Sequence, residues 1–319
     1  MPPGEFELIR RHFMRRGAAR DDVRVGVGDD AAVVMARAGS DLVLALDTVV
    51  PEVHFPAELD ARLVGHRVLA VNLSDLAAMG ADPAWALLGL TLPVADDRWL
   101  AGFSAGLDAL AHRFDVELVG GDTTRGPLCA SIALAGFVPA GLALRRRGAR
   151  PGDDIWVSGT PGDAGGGLAL MQGRLQATGE HRDELLRRFQ QPEPRVRLGR
   201  ALRGLATACI DISDGLASDL GKLCAASEVG ADLNSRLVPV SNALRIVAGS
   251  VPAFTLALGA GDDCELLFTA PATARGRVDA LKAGVALRRI GTISSVAGVR
   301  VDGAIPERDI GHGFDHFAD

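Results

Sequence analysis

The chain has 319 residues, room for about two domains at roughly 150 residues each. Apolar residues make up 48% and charged residues 23%, which is globular and supplies ample material for a core. The formal charge of −6 argues against nucleic acid and anionic membrane as partners, both of which want a basic surface. Anionic substrates stay open, because metal ions can invert the sign of an acidic pocket.

Phe6, Ile9 and Phe13 stand at helical spacing and predict a short amphipathic helix over 5–16. Strand-like runs 23–27 and 31–34 flank Gly28-Asp29-Asp30, and 42–47 is a β-rich run that ends on a carboxylate. Residues 59–79 read as a long helix, apolar at Leu63, Val64, Val68, Leu69, Leu73, Leu76 and Ala77. A strand at 86–92, a helix at 96–114 and a strand at 116–119 follow, the last stopping at Gly120-Gly121-Asp122; 129–138 is another strand. Arg145–Arg147 and Pro151-Gly152-Asp153-Asp154 break the pattern, which places a boundary between a first domain, 1–140, and a second, 141–319. Beyond it come a strand at 155–158 and a helix beginning at 165–171. A helix at 194–205 carries Pro in its first turn; a strand at 208–212, a helix at 216–226 and a strand at 265–269 follow. Strands and helices interleave in both halves, so the class is α/β (α+β) with two domains.

Cys129, Cys209, Cys224 and Cys264 lie far apart and form no CxxC, so neither a zinc site nor a disulfide framework is expected. With no apolar leader and no run of eighteen apolar residues, a cytoplasmic setting without membrane spans is the expectation. No Ser-His-Asp or Cys-His arrangement stands out, and no general base is identified.

One feature recurs: Asp where an element ends in a small-residue turn. It occurs at Gly28-Asp29-Asp30, Leu46-Asp47-Thr48, Ser74-Asp75, Gly120-Gly121-Asp122-Thr123 and Asp211-Ile212-Ser213-Asp214-Gly215. Taken singly, each is more often a turn or a helix cap. Should several converge, two carboxylates about 4 Å apart would repel by about 4 kcal/mol at an effective dielectric near 20, so the cluster would need protons or divalent cations. Oxygen ligands without His or Cys favour Mg²⁺, Mn²⁺ or Ca²⁺ over zinc, and Mg²⁺ shares itself with substrate phosphates, which points to nucleotide chemistry.

Two familiar patterns are rejected. Gly26-Val27-Gly28-Asp29-Asp30-Ala31 fits the dinucleotide fingerprint but sets two carboxylates where a pyrophosphate would rest, before a strand rather than a helix. Gly215–Lys222 has five residues between its glycines, and Leu223 stands where a phosphate-binding loop needs Ser or Thr. Gly159–Gly167 is glycine-rich enough either to approach phosphate at a helix N-terminus or to be a plain turn.

Taken together, these segments resemble the thiamine-monophosphate kinase family, within a superfamily that includes aminoimidazole ribonucleotide synthetase, selenophosphate synthetase and a hydrogenase-maturation dehydratase. The resemblance is carried by GEFELI at 4–9, GVGDDAAV at 26–33, Asp47 through PEVHF at 51–55, and AVNLSDLAAMGADPAWALL at 70–88. It continues in GGDTTRGPL at 120–128, PGDDIWVSGTPGD at 151–163, IDISDGLASDLG at 210–221 and GDDCELLF at 261–268. It implies an N-terminal domain that binds ATP and Mg²⁺ and pairs its sheet with that of a second subunit, and a C-terminal α/β domain that completes the site in a homodimer. By motif position, Asp30, Asp47, Asp75, Asp122, Asp211 and Asp214 are similar to ligands of several Mg²⁺ ions. Gly121, Asp122, Arg146 and Ser213 are similar to ATP contacts; His54, Asp262 and Phe314 fall where the family contacts thiamine monophosphate. Two departures are visible: Ala45 and Leu46 replace hydroxyl residues before Asp47, and Gly261-Asp262-Asp263-Cys264-Glu265 replaces Gly-Glu-Asp-Tyr-Glu. The first cysteine is Cys129, unlike the N-terminal reactive residue of selenophosphate synthetases. A nucleotide or thiamine-phosphate sensor without turnover is the alternative from a different class.

Overall fold

The computed structural model of the chain describes residues 5–14 and 16–304. Two compact units emerge, Met1–Leu76 with Ala81–Gly141 and Ala77–Gly80 with Leu142–Asp319.

The first unit runs α1 (Glu5–His12), β1 (Val23–Val25), β2 (Val33–Val34), β3 (Ser40–Val49), α2 (Ala61–Ala78), β4 (Asp82–Leu92), α3 (Asp97–Arg113), β5 (Glu117–Arg125) and β6 (Cys129–Pro139). Its main sheet has the order β3-β6-β4-β5. β6 is antiparallel to both β3 and β4, whereas β4 and β5 are parallel and joined through α3. Leu88, Leu90, Ile132 and Leu134 are buried on one face, as are Val64, Val68 and Leu73 of α2 and Phe103 and Leu107 of α3. The two helices cross in backbone contact: a Cβ on Gly65 would lie 2.0 Å from the Phe103 carbonyl oxygen, and one on Gly106 would lie 1.9 Å from that of Arg62. Asp96 starts α3 by accepting from the Arg98 and Trp99 amides.

The other face of this sheet is apolar and partly bare. The β1–β2 hairpin packs on Trp85, Phe137 and Ala135 at one end. Beyond it Leu42, Leu44, Leu46 and Leu87 are 53%, 72%, 67% and 45% exposed. Cross-strand pairing aligns Leu46, Ala133, Leu87 and Gly120 in one row, and Thr48, Ser131, Gly89 and Asp122 in the next.

The second unit contains β7 (Asp154–Ser158), α4 (Asp163–Met171), α5 (Gly179–Gln190), α6 (Val196–Leu202), β8 (Ala208–Asp211), α7 (Leu216–Ser227), β9 (Gly230–Leu233), α8 (Asn242–Ala248) and α9 (Ser250–Gly259). β10 (Leu266–Ala270), α10 (Arg275–Asp279), β11 (Leu287–Ser294) and β12 (Gly298–Val301) complete it. Its sheet has the order β12-β9-β11-β7-β10-β8, and only the β12–β9 pair is parallel. Ile155, Val157, Ile210 and Leu267 form a core with Leu216, Leu220 and Leu223 of α7 and with Ala257 and Leu258 of α9. Among the described residues no single helix is long and apolar enough to cross a membrane.

Several expectations change. The first helix stops at His12, and Leu8, His12 and Phe13 are the residues it buries. The strand expected to stop at Gly120 runs on to Arg125: the register shifts by one residue at Val119, opposite Ala86 and Leu87, and pairing with β4 then continues from Gly120 onward. Pro194 precedes α6 rather than lying in its first turn.

Glu265 locks the second unit. Its carboxylate, wholly buried, accepts from Arg188 Nη2 at 2.6 Å, from Arg195 Nε at 2.7 Å and from Ser158 Oγ at 2.5 Å. Burial alone would raise its pKa; the two guanidinium groups and the hydroxyl hold it below its ordinary value of 4.5. Its contribution to stability is therefore fully present above pH 4.5 and is lost as pH falls through the lowered folded value. Glu265→Gln removes the charge shared by two half-buried guanidinium groups, Arg188 retaining Asp163 at 3.9 Å, and is expected to cost about 3 kcal/mol at neutral pH. In urea titrations the gap between wild type and Glu265→Gln should narrow below pH 4.5. A gap that widens in acid would contradict this account of the lock.

Candidate functional site

In the first unit Asn72 links the strand that carries Asp47 to the helix that carries Asp75. The backbone N–H of Asp47 donates to Asn72 Oδ1 at 3.1 Å, and the Asn72 amide in turn donates to the Val68 carbonyl, tying β3 to α2. Asp75 lies three residues beyond Asn72, hence on the same side of α2, about 5–6 Å away between Cβ atoms. Asp47 and Asp75 are half-buried. Asp47 lies two residues before the end of β3 and Asp75 in the last turn of α2, close to the element ends that the sequence pattern suggested but inside the elements rather than in the turns. Asp30 does sit in a turn, exposed, with its N–H bonded to Asp29 Oδ1 at 2.8 Å. That turn joins the antiparallel strands β1 and β2, so no helix N-terminus faces the Gly-rich run, in line with rejection of the dinucleotide fingerprint.

Asp122 stands apart from Asp47. It is exposed on β5, at the opposite edge of the sheet, and level with Thr48 rather than with Asp47. Three interstrand spacings put the two strands roughly 14 Å apart. Their side chains also point to opposite faces, because Thr48 and Asp122 share one row and Asp47 alternates away from it. Gly121, with φ of +153°, passes so close to β4 that a Cβ would lie 2.0 Å from the Leu88 carbonyl oxygen. His54 lies in the turn after β3, where its Nδ1 accepts from the Val50 amide at 3.2 Å; the neutral ring then carries its proton on Nε2.

In the second unit Asp211 ends β8 and is buried, and Ser213 and Asp214 follow in the turn before α7. One oxygen of Asp219 accepts from the amides of Ser213, Asp214 and Gly215 at 2.9, 3.0 and 3.2 Å. Lys222 contacts Asp219 Oδ1 at 2.7 Å and also the Asp214 carboxylate. Burial pushes the Asp219 carboxyl above its ordinary value of 3.8, against the pull of Lys222. Asp262 has a left-handed φ of 68° and donates its N–H to the Ser213 carbonyl at 2.9 Å; Cys264 is also left-handed, at 51°. Two non-glycine residues in that region within three positions mark a strained segment, held by its neighbours. Arg146 is exposed on the loop before β7, and its carbonyl accepts from Ser227 Oγ at 2.9 Å. Phe314 lies outside the described residues.

The Gly159–Gly167 segment opens α4, but its N-terminus is already filled by a buried carboxyl group, whose pKa burial pushes well above its ordinary value of 3.8. Asp263 accepts there from the Gly162 amide at 2.7 Å and from the Ala164 amide at 3.2 Å. The glycines serve packing instead: a Cβ on Gly167 would lie 2.2 Å from the Leu185 carbonyl oxygen. Asp219 and Ser227 did not stand out in the sequence, and Lys222 and Asp263 appeared there only within other patterns, not as candidate site residues. An acidic residue in the first turn of a helix that follows Gly215 is the signal that points to Asp219.

Among the described residues no three of His, Cys, Asp and Glu form a metal-holding group. Asp47 and Asp75, on the two elements that Asn72 ties together, offer carboxylate oxygens alone. Such a part-built donor set suits Mg²⁺, which keeps several waters and takes further ligands from phosphates, better than zinc or Ca²⁺.

Comparisons with known proteins identify the family. The family described as AIR synthase related protein, N-terminal domain, matches residues 28–138, and the corresponding C-terminal domain matches 150–303. Thiamine-monophosphate kinase of Escherichia coli (strain K12) is 45% identical over 328 residues, covering 100% of this chain and 99% of that protein. The crystal structure of thiamine-monophosphate kinase from Stenotrophomonas maltophilia K279a superposes with a TM-score of 0.86 at 48% identity, over 93% of this chain and 95% of that one. AaThiL complexed with AMPPCP and TMP gives a TM-score of 0.80 at 30% identity, over 89% of each chain. The chain is an enzyme of the thiamine-monophosphate kinase family.

Proposed function

We propose that the chain transfers the γ-phosphoryl group of ATP directly to the phosphate of thiamine monophosphate, giving thiamine diphosphate and ADP. What carries this reading is the full-length likeness to kinases of that name. AaThiL, complexed with the ATP analogue AMPPCP and with TMP, supplies the substrate pair. In the step, a phosphate oxygen of thiamine monophosphate attacks the γ-phosphorus in line, and the bond to the bridging oxygen breaks with its electrons leaving on ADP. A phosphate monoester has its second pKa near about 6, so the nucleophile is already ionised at neutral pH and needs no general base.

Asp30, Asp47, Asp75 and Asp122 from residues 1–140, with Asp211 and Asp214 from residues 141–319, are assigned to several Mg²⁺ ions. When bound, Mg²⁺ would neutralise phosphate charge and align the reacting groups. Gly121, with its close-packed backbone, and Asp122, Arg146 and Ser213 are assigned to ATP. His54, presenting Nε2–H, and Asp262 are assigned to the acceptor phosphate and thiamine, as is Phe314. The four free cysteines suit a reducing, cytoplasmic setting.

The bare leucine face is assigned to a second copy of the chain. A contiguous apolar face on a sheet of this kind is a protein interface in most settings. The separation of Asp47 and Asp122 supports the same assignment, because one sheet cannot offer both to one ion. The site would take Asp47 and Asp75 from one protomer and Asp122 from its partner.

An assay with ATP and Mg²⁺ tests the reaction. Thiamine diphosphate should form from thiamine monophosphate but not from thiamine. ADP without thiamine diphosphate would move the acceptor elsewhere, and no ATP turnover would leave a sensor. Asp75→Ala and Asp122→Ala should each cut turnover by about 100-fold or more, with melting temperatures near wild type. Leu44→Asp would force a carboxylate into the apolar interface, so light scattering should find a monomer where the wild type is a dimer.

A further inference from the structure

Two side chains on α7 grip the loops that carry Ser213 and Arg146, and neither is itself placed to touch a nucleotide. Asp219, 1% exposed, collects the three consecutive amides of Ser213, Asp214 and Gly215 on one oxygen. Eight residues along the same helix, Ser227 Oγ donates to the Arg146 carbonyl at 2.9 Å. It accepts from the Gly148 and Ala149 amides at 3.1 and 3.2 Å. Its single proton and both lone pairs are thereby engaged, and no capacity is left for a ligand. At a rise of about 1.5 Å per residue the two grips lie roughly 12 Å apart along a rigid rod. The rod is itself fixed to the sheet by Leu216, Leu220 and Leu223, all fully buried.

We propose that α7 is the gauge that sets the spacing between Arg146 and the Ser213–Gly215 turn, with Asp219 and Ser227 as its positioning residues for ATP. This rests on the assignment of Arg146 and Ser213 to ATP made above. The backbone of each loop is anchored while its functional side chain stays outside the anchor, so the gauge acts on where the nucleotide groups sit and not on charge. Loss of the Ser227 grip lets the Arg146 end of the nucleotide site drift, which weakens ATP and leaves thiamine monophosphate alone; loss of the Asp219 grip frees the Ser213 turn, to which Asp262 is bonded, so both substrates feel it.

The test uses Ser227→Ala, Ser227→Thr, Asp219→Asn and, as a control on the underlying site, Arg146→Ala, each first checked by thermal melting. The readouts are KM for each substrate, kcat, and the dissociation constant of β,γ-methylene ATP by calorimetry. Ser227→Ala should raise both the KM for ATP and that dissociation constant about tenfold, with KM for thiamine monophosphate within about twofold of wild type. Ser227→Thr, which keeps the hydroxyl, should restore ATP binding, and Asp219→Asn should shift it in the same direction as Ser227→Ala. Normal binding of the analogue by Ser227→Ala and Asp219→Asn, with binding lost in Arg146→Ala, would overturn the gauge and leave the ATP assignment standing. Normal binding by Arg146→Ala as well would overturn both.

Discussion

Carboxylates that are to meet a polyanion through metal ions must stand close together, and until the cations arrive they repel one another and resist burial. The chain separates the two demands. Acids that hold structure are buried and fully bonded: Asp219 by three amides and Lys222, Asp263 by two amides at the start of α4, Glu265 by two arginines and a serine. Acids assigned to metal are more open: Asp30 and Asp122 exposed, Asp47, Asp75 and Asp214 half-buried. Asp211 is the exception, buried at the end of its strand. The strained segment around Asp262 persists because two of the structural acids, Asp263 and Glu265, flank Cys264 on either side.

Sheet geometry adds a second constraint. A strand alternates its side chains, so Asp47 on the helix side and Asp122 on the leucine side are fixed on opposite faces, and three strands set them on opposite edges. Neither separation can relax without breaking the ladder. The same alternation that carries Asp122 outward also carries Leu44, Leu46 and Leu87 outward. An apolar surface and an exposed acid on one face are the joint product of one register.

Much of this was legible in the sequence, for physical reasons that can be named. The helix at Ala61–Ala78 is long and dense in apolar residues at helical spacing, and it was found with its ends displaced by only a residue or two. Short, buried strands of the second unit such as Gly230–Leu233, and the small helices Asn242–Ala248 and Ser250–Gly259, carry too few periods to stand out. Gly120 and Gly121 read as a stop, yet the strand continues through them past a bulge at Val119, since tertiary pairing with Leu87 and Leu88 outweighs local propensity. The Gly-rich start of α4 read as open to phosphate because the acid that fills it, Asp263, is distant in sequence. Asp47 and Asp75 are legible as candidates, but the link between their elements runs through Asn72, an unremarkable residue until its hydrogen bonds are seen.

The account's central claim is that one working site draws its acids from two protomers, and mixing two inactive variants tests it most directly. Asp75→Ala and Asp122→Ala subunits would be denatured together, refolded and assayed for thiamine diphosphate. If the site is shared, each heterodimer holds one site with both losses and one with neither. Random pairing then restores about a quarter of the wild-type rate. If Asp75 and Asp122 of the same chain serve the same site, every site in the mixture carries a loss. The mixture would then be no more active than its parents, and the shared-site account would be wrong.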